Sequence, residues 1–202
     1  MTAPSSSRPV QLTSNPAAGI LIGSNGRYEK HLRDLDGLYR DAGAFAAALG
    51  SDSGAPVYWV EQSLTQQGRG GLITGLSVVE PGRVGDEYAM TRGHIHAQSQ
   101  FAELYTCLNG QGVLLMDTLD GETVAMAMRP GDSVYVPGGW VHRSVNVGAE
   151  RFVTLFCYGS EAGKDYEVIR RADGMRELVV IDGAGGWKTV PNLHHVGYSL
   201  AS

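Results

Sequence analysis

Three histidines and one glutamate are the residues of this sequence best suited to chemistry. His94 and His96 lie two positions apart, so on a β-strand both side chains leave the same face. Glu103 follows seven residues after His96, and His142 lies in a second segment rich in turn residues. Three imidazoles and a carboxylate form a mixed nitrogen and oxygen ligand set, which suits a divalent first-row metal such as Fe, Mn, Ni or Zn. We therefore expect one metal ion per chain at these four residues.

Side chains near the four ligands could bind a small polar substrate. Strand alternation places Tyr105 on the same face as Glu103, and Tyr158 points inward if its strand belongs to the inner sheet. Ordinary core packing is the alternative for both tyrosines. In residues 91–93, the Thr91 hydroxyl, a backbone N–H beside Gly93 and the cation of Arg92 could form an anion cradle. A tight turn that needs glycine explains the same three residues equally well.

The second histidine segment has a specific spacing, G(X)5PXG(X)2H(X)3N. Gly131, Pro137, Gly139, His142 and Asn146 occupy every fixed position. This segment resembles the second motif of the cupin family. The first cupin motif, G(X)5HXH(X)3-4E(X)6G, is matched less closely. Six residues separate the HxH pair from the glutamate, and Tyr88 stands where the motif has a glycine.

Residues 91–112 read TRGHxHxxxxxxExYxxLxGxG, which is similar to the cupin-type glucose-6-phosphate isomerases found mainly in archaea. In that family the longer gap before the glutamate is normal. The resemblance covers residues 19–180, including AGKDY at 162–166. It implies an all-β fold, a cupin double-stranded β-helix (jelly-roll barrel) with an N-terminal arm and a few short helices.

The resemblance also implies a function, the interconversion of glucose 6-phosphate and fructose 6-phosphate in glycolysis and gluconeogenesis. It implies a homodimer, with Fe²⁺ preferred over Mn²⁺, Ni²⁺ or Zn²⁺. The family places the equivalents of Thr91, Gly93, Tyr105 and Tyr158 at the sugar-phosphate site, and Ser77 aligns with a phosphate-binding threonine. Glu103 is the only acid among the four candidate ligands, so it is the candidate base that moves a proton between C1 and C2. A hydride shift is the alternative.

Two other functions are compatible with the same motifs. One is a different metal-dependent cupin enzyme, either a mannose-phosphate isomerase or an Fe(II) dioxygenase. The other is a non-catalytic sugar-binding cupin. A sugar sensor usually carries a helix-turn-helix domain, and the sequence shows no such pattern, so we favour an enzyme.

The elements that must position these residues are short strands separated by turns. We expect a flexible arm over residues 1–18, one cupin domain over 19–190 and a C-terminal tail over 191–202, in which His194 and His195 are exposed. Residues 41–49 are rich in alanine and predict a helix. Residues 109–112, 120–121 and 148 predict hairpin turns, and residues 167–169 and 177–181 predict late strands.

Composition excludes several classes of partner. The chain has 202 residues and a net charge of −5, which argues against nucleic acid or an anionic membrane as the main partner. No apolar run approaches the ~20 residues of a membrane span, and residues 1–15 lack the apolar core of a secretory signal. The two cysteines are too few for a disulfide framework, so we expect reduced thiols in a cytoplasmic protein.

Overall fold

The computed structural model describes residues 8–200, which form short antiparallel strands and little helix. The strands are β1 (Thr13–Asn15), β2 (Ile20–Ile22), β3 (Gly26–His31), β4 (Pro56–Leu64), β5 (Leu72–Val79), β6 (Arg83–Val84), β7 (Glu87–Tyr88), β8 (Glu103–Asn109), β9 (Gly112–Asp117), β10 (Thr123–Met128), β11 (Ser133–Val136), β12 (Val141–Asn146), β13 (Phe152–Gly159), β14 (Glu177–Ile181) and β15 (Trp187–Pro191). The helices are a 3₁₀ turn at Leu32–Leu35, α1 (Ala42–Gly50) and α2 (Val168–Arg171).

Two antiparallel sheets make the barrel. The larger has the strand order β11-β8-β13-β5-β4-β3, and the smaller has the order β10-β9-β12. Side chains from both sheets, such as Phe156 of the larger and Met116 of the smaller, belong to one continuous apolar core. A third sheet, β15-β14-β7-β6, and the hairpin β1-β2 complete the described strands. The expected all-β jelly-roll fold is confirmed.

The chain crosses from one sheet to the other at two of the three expected hairpin turns. Strand β8 pairs with β11 and β13, whereas β9 pairs with β10 and β12, so residues 109–112 connect the two sheets. Residues 147–151 likewise connect β12 to β13, and both hairpin predictions are therefore wrong. Asn146 stabilises this second crossing: its Nδ2 atom donates to the carbonyls of Val79 and Glu150, each at 2.8 Å. The turn at residues 120–121 does join a paired hairpin, β9 and β10.

Three further expectations concern local elements. The alanine-rich helix is confirmed as α1, and the Asp41 carboxylate caps it by accepting a hydrogen bond from the N–H of Ala44 at 2.8 Å. Strand β14 confirms the prediction at 177–181. The strand predicted at 167–169 is wrong, because those residues enter α2. Val168 and Ile169 are both fully buried, which a helical turn achieves and an alternating strand covered on one face does not.

The two ends of the described chain carry more structure than an arm and a tail suggest. Residues 1–7 of the expected arm lie outside the described residues. Strand β1 lies in the remaining part of the arm and pairs with β2. Near the C-terminus, His194 is exposed as expected, whereas His195 is half-buried. The Nδ1 atom of His195 lies 2.9 Å from the carbonyl of Gly174, and its ring contacts Tyr198. Within residues 8–200, no helix has the length and apolar character needed to cross a membrane.

Candidate metal centre

The HxH pair lies on an extended segment held between two neighbours. The backbone groups of His94 and His142 exchange two hydrogen bonds, of 3.0 and 2.9 Å, so the first segment is fixed against β12. Ile95 makes the equivalent backbone pair with Asp165 on the other side. Residues on either side of Ile95 therefore point the same way, as the spacing predicts, and His94 and His96 both face the barrel interior.

The structure brings all four expected metal ligands together. Glu103 begins β8 and His142 lies on β12, so the two sheets of the barrel each contribute one ligand. The Oε2 atom of Glu103 lies 3.5 Å from Nε2 of His94, and 3.1 Å from Nε2 of both His96 and His142. One ligand atom from each residue lies within 4.8 Å of every other, and all four residues are buried.

Hydrogen bonds on the far side of two rings determine which nitrogen faces the centre. Nδ1 of His96 lies 3.0 Å from the carbonyl of Phe101, and Nδ1 of His142 lies 3.0 Å from the carbonyl of Trp140. A carbonyl can only accept, so Nδ1 of each ring carries a proton and Nε2 points inward. This second contact of each ring is typical of metal-binding histidines.

Three of the converging atoms have no hydrogen-bond partner among the described residues, whereas Nε2 of His142 pairs with Oε2 of Glu103 at 3.1 Å. Among residues 8–200, the Nε2 atoms of His94 and His96 and the Oε1 atom of Glu103 are buried without a hydrogen-bond partner. Lone pairs crowded around a carboxylate repel one another unless a cation lies between them. The residues therefore fit a divalent metal ion, and the three-imidazole, one-carboxylate set matches the first-row preference expected from the sequence.

Ionisation at the centre favours metal binding at neutral pH. Burial lowers the pKa of His94 well below its ordinary value, and nearby His142 and the Lys164 cation act in the same direction, so its imidazole is neutral. Burial alone would raise the pKa of Glu103, but the three surrounding imidazoles outweigh it and hold that pKa well below its usual range. Neutral imidazole and ionised carboxylate are the forms that bind metals.

A cavity beside the metal centre is lined by three of the four ligands, His94, Glu103 and His142. Four of the five expected substrate-binding residues, Ser77, Thr91, Gly93 and Tyr105, line this cavity. Tyr158 lies beside it, with its ring centroid 5.2 Å from that of His96. Ser77 is placed by the register of the large sheet, in a row of paired residues that runs from Tyr28 through Val60 and Ser77 to Thr154.

The Thr91–Gly93 segment has only part of the expected anion cradle. Gly93 has a φ of +76° and packs against the carbonyl of His142, so both the turn and the close approach require glycine. The Thr91 hydroxyl oxygen accepts a hydrogen bond from the N–H of Ser144 at 3.1 Å. Arg92, however, stacks on Tyr166 with its guanidinium carbon 3.9 Å from the ring centroid, and it is not among the residues that line the cavity.

Sequence reasoning missed several residues of the cavity wall. Tyr28, Tyr58, Arg143 and Tyr166 line the cavity together with Lys164. Tyr28 and Tyr58 come from strands distant in sequence from the metal ligands. Two of these residues could have been found from the sequence. Arg143 directly follows His142, and Tyr166 ends the AGKDY segment.

The family model and the sequence relatives point to one family. A family model described as glucose-6-phosphate isomerase (GPI) matches residues 29–195. The glucose-6-phosphate isomerase of Sinorhizobium medicae is 44% identical over 174 residues, which cover 86% of this chain and 81% of that protein. The glucose-6-phosphate isomerase of Thermococcus gammatolerans is 37% identical over 186 residues, which cover 92% and 95%. Among solved structures, an oxalate oxidase aligns with 58% of this chain and 60% of its own, at 16% identity and a TM-score of 0.47.

Proposed function

The chain belongs to the glucose-6-phosphate isomerase family, and from that premise we propose that it interconverts glucose 6-phosphate and fructose 6-phosphate with one bound divalent metal ion. The observation that carries the metal requirement is the buried convergence of His94, His96, Glu103 and His142. Three inward Nε2 atoms around a carboxylate are difficult to explain in a protein that binds no cation.

We propose Fe²⁺ as the native ion, with Mn²⁺, Ni²⁺ and Zn²⁺ as ions that the same ligand set accepts. A bound divalent ion would supply Lewis acidity toward the sugar oxygens. The chain supplies the remaining functions: it positions the sugar, holds the transferred proton and limits access of water.

Glu103 is the proposed base for transfer of the proton between C1 and C2. Its Oε2 atom is crowded by the three imidazoles, whereas its Oε1 atom is buried without a hydrogen-bond partner among residues 8–200. A carboxylate with one uncommitted oxygen can accept a proton from one carbon and return it to the next. Proton transfer predicts exchange of the C2 hydrogen with solvent deuterium during turnover, and a hydride shift predicts none.

We propose that the phosphate end is bound mainly by Thr91, Gly93 and Tyr158, with Tyr105 and Ser77 as secondary contacts. Their positions around the cavity support this assignment. Burial and the neighbouring Glu103 carboxylate raise the pKa of Tyr105 well above its ordinary value, so its phenol remains a hydrogen-bond donor throughout the neutral range.

The experiment that tests this function is a coupled glucose-6-phosphate isomerase assay on metal-reconstituted protein, with a chelated sample beside it. We expect activity that is lost on chelation and restored by Fe²⁺. His94→Ala should lose both metal and activity, whereas His194→Ala, which changes an exposed histidine, should keep both. Activity that survives complete chelation would contradict the proposed metal dependence, and inactivity with the metal bound would contradict the proposed reaction.

We further propose that residues 19–190 act as one domain and that two chains form a homodimer. Ile20 and Ile22 on β2 are 44% and 60% exposed, so the N-terminal hairpin offers an apolar surface for a partner. Light scattering at micromolar concentration should give twice the 21.5 kDa chain mass. The cysteines at 107 and 157 are unpaired, which suits the reducing cytoplasm we propose as the compartment.

A further inference from the structure

We propose that Lys164 supplies the positive charge that selects the phosphorylated sugar, an inference that rests on the isomerase function proposed above. Lys164 lines the same cavity as the metal ligands. Its Nζ atom lies 4.4 Å from the ring centroid of Tyr158 and 5.4 Å from that of Phe156. A phosphate bound by the Tyr158 hydroxyl would therefore lie within reach of the ammonium group.

The backbone fixes Lys164 on the side of the metal ligands. The N–H of Ile95 donates to the carbonyl of Asp165 at 3.2 Å, and the N–H of Asp165 donates back at 2.9 Å. In such an antiparallel pair, the neighbours of both residues share one face, so Lys164 and Tyr166 lie on the same face as His94 and His96. The His94 and Tyr166 rings are 5.6 Å apart, which agrees with this arrangement.

The Asp165 side chain points away from Lys164. Its carboxylate bonds the guanidinium of Arg171, at the outer side of the segment. The charge on Asp165 therefore has a partner of its own, and the position of Lys164 follows from strand geometry rather than from an ion pair with its neighbour.

Two cationic side chains, Arg143 and Lys164, line the cavity, and they have different hydrogen-bond partners. Arg143 donates from Nη2 to the carbonyl of Arg92 and from Nη1 to the sulfur of Met90, each at 2.9 Å, so it holds the backbone before His94 in place. Lys164 is in none of the ion pairs within 4.0 Å found in the described part of the chain. The ammonium of Lys164 contacts the Tyr158 hydroxyl instead, so its charge lies beside the group proposed to bind the phosphate.

The charge of a phosphorylated sugar favours such a group. A phosphate monoester carries about −1.5 to −2 charges at neutral pH, and a nearby ammonium attracts it. A fixed ammonium therefore favours a phosphorylated sugar and gives no comparable gain to a neutral one.

Lys164→Gln tests the inference, with Lys164→Arg as the charge-preserving variant. Lys188→Gln makes the same substitution at an exposed position on β15 and serves as the matched control. The measurements are kcat and KM for glucose 6-phosphate, the inhibition constant of inorganic phosphate, and bound metal per chain. We expect Lys164→Gln to raise both KM and the inhibition constant about 10- to 100-fold, with kcat and metal content little changed. Lys164→Arg should recover most of the loss, and Lys188→Gln should match the unaltered protein.

Two results would overturn the assignment. Unchanged KM and phosphate inhibition in Lys164→Gln would remove Lys164 from phosphate recognition. A fall in kcat alone would place its action at the reacting carbons instead. If Lys164→Gln fails to fold or to hold metal, Lys164→Ala repeats the test. Calorimetric binding of inorganic phosphate to the metal-loaded proteins tests Lys164 even if the unaltered protein shows no isomerase activity, so the two proposals fail separately.

Discussion

Gly93→Ala is a perturbation whose cost can be worked out from the structure. Gly93 has a φ of +76°, and an added Cβ would lie 2.6 Å from Cδ1 of Ile169 and 2.9 Å from both Cβ of Arg143 and the carbonyl oxygen of His142. The left-handed conformation costs an alanine roughly 1–2 kcal/mol. Overpacking against groups that cannot move aside typically costs about 1–3 kcal/mol more.

The expected loss is therefore about 2–5 kcal/mol in the free energy of unfolding. For a chain of this size, 1 kcal/mol lowers Tm by roughly 2–4 °C, so Tm should fall by about 4–20 °C. Calorimetry on chelated protein measures this loss without a contribution from metal binding. The variant should also bind metal more weakly, because the new methyl group presses on the backbone of the ligand His142.

Gly185→Ala is the matched control for this prediction. Gly185 has a similar φ of +85°, but an added Cβ would meet nothing within 4 Å. Only the conformational cost applies there, so Tm should fall by about 2–8 °C. Equal losses in the two variants would refute the argument that close packing against His142 and Arg143 makes Gly93 necessary.

Three other predictions concern the proposed chemistry. Glu103→Gln with the metal site full should lower kcat by about 10²–10⁴, and near-normal kcat after addition of excess metal would exclude Glu103 as the base. Tyr158→Phe should raise KM for glucose 6-phosphate, because a hydrogen bond to an anion worth roughly 1.5–3 kcal/mol is lost; an unchanged KM would exclude that contact. Since burial lowers the pKa of His94, protons should compete with the metal for this ligand only below the ordinary imidazole range near ~6.5. Metal retention measured against pH checks this, and release that begins above pH 7 would contradict it.

The ligand set could be predicted from sequence because each of its two segments has a recognisable local pattern. Two-residue strand alternation places His94 and His96 on one face, and the spacing around His142 is specific enough to identify its segment. The same alternation correctly places Tyr105 with Glu103 on β8, where both are buried. Short-range periodicity therefore accounts for the HxH pair, whereas the His142 segment is identified by its resemblance to the second cupin motif.

The cavity wall could not be predicted in the same way, because it depends on which strands become neighbours. Tyr28 reaches the cavity only because β3 pairs with β4 at the edge of the large sheet. The two wrong hairpin predictions have the same cause. A glycine-rich turn such as residues 109–112 looks the same in sequence whether the chain folds back within a sheet or crosses to the facing one.

Lys164 and Tyr166 show an intermediate case. Their segment, AGKDY, is visible in the sequence, but its role depends on the backbone pair between Ile95 and Asp165. That pair joins residues seventy positions apart, and no local pattern indicates it. The same segment then continues into α2. Its adjacent buried apolar residues, Val168 and Ile169, led to the wrong strand prediction.

A metal titration of the chelated protein tests the central claim most directly. Isomerase activity toward glucose 6-phosphate would be measured as Fe²⁺ is added in known amounts per chain. The four converging ligands predict that activity rises in proportion to bound metal and saturates at one ion per chain, with no rise in a His94→Ala/His142→Ala variant. Full activity before any metal is bound, or an equal rise in the double variant, would contradict the assignment of the reaction to this centre.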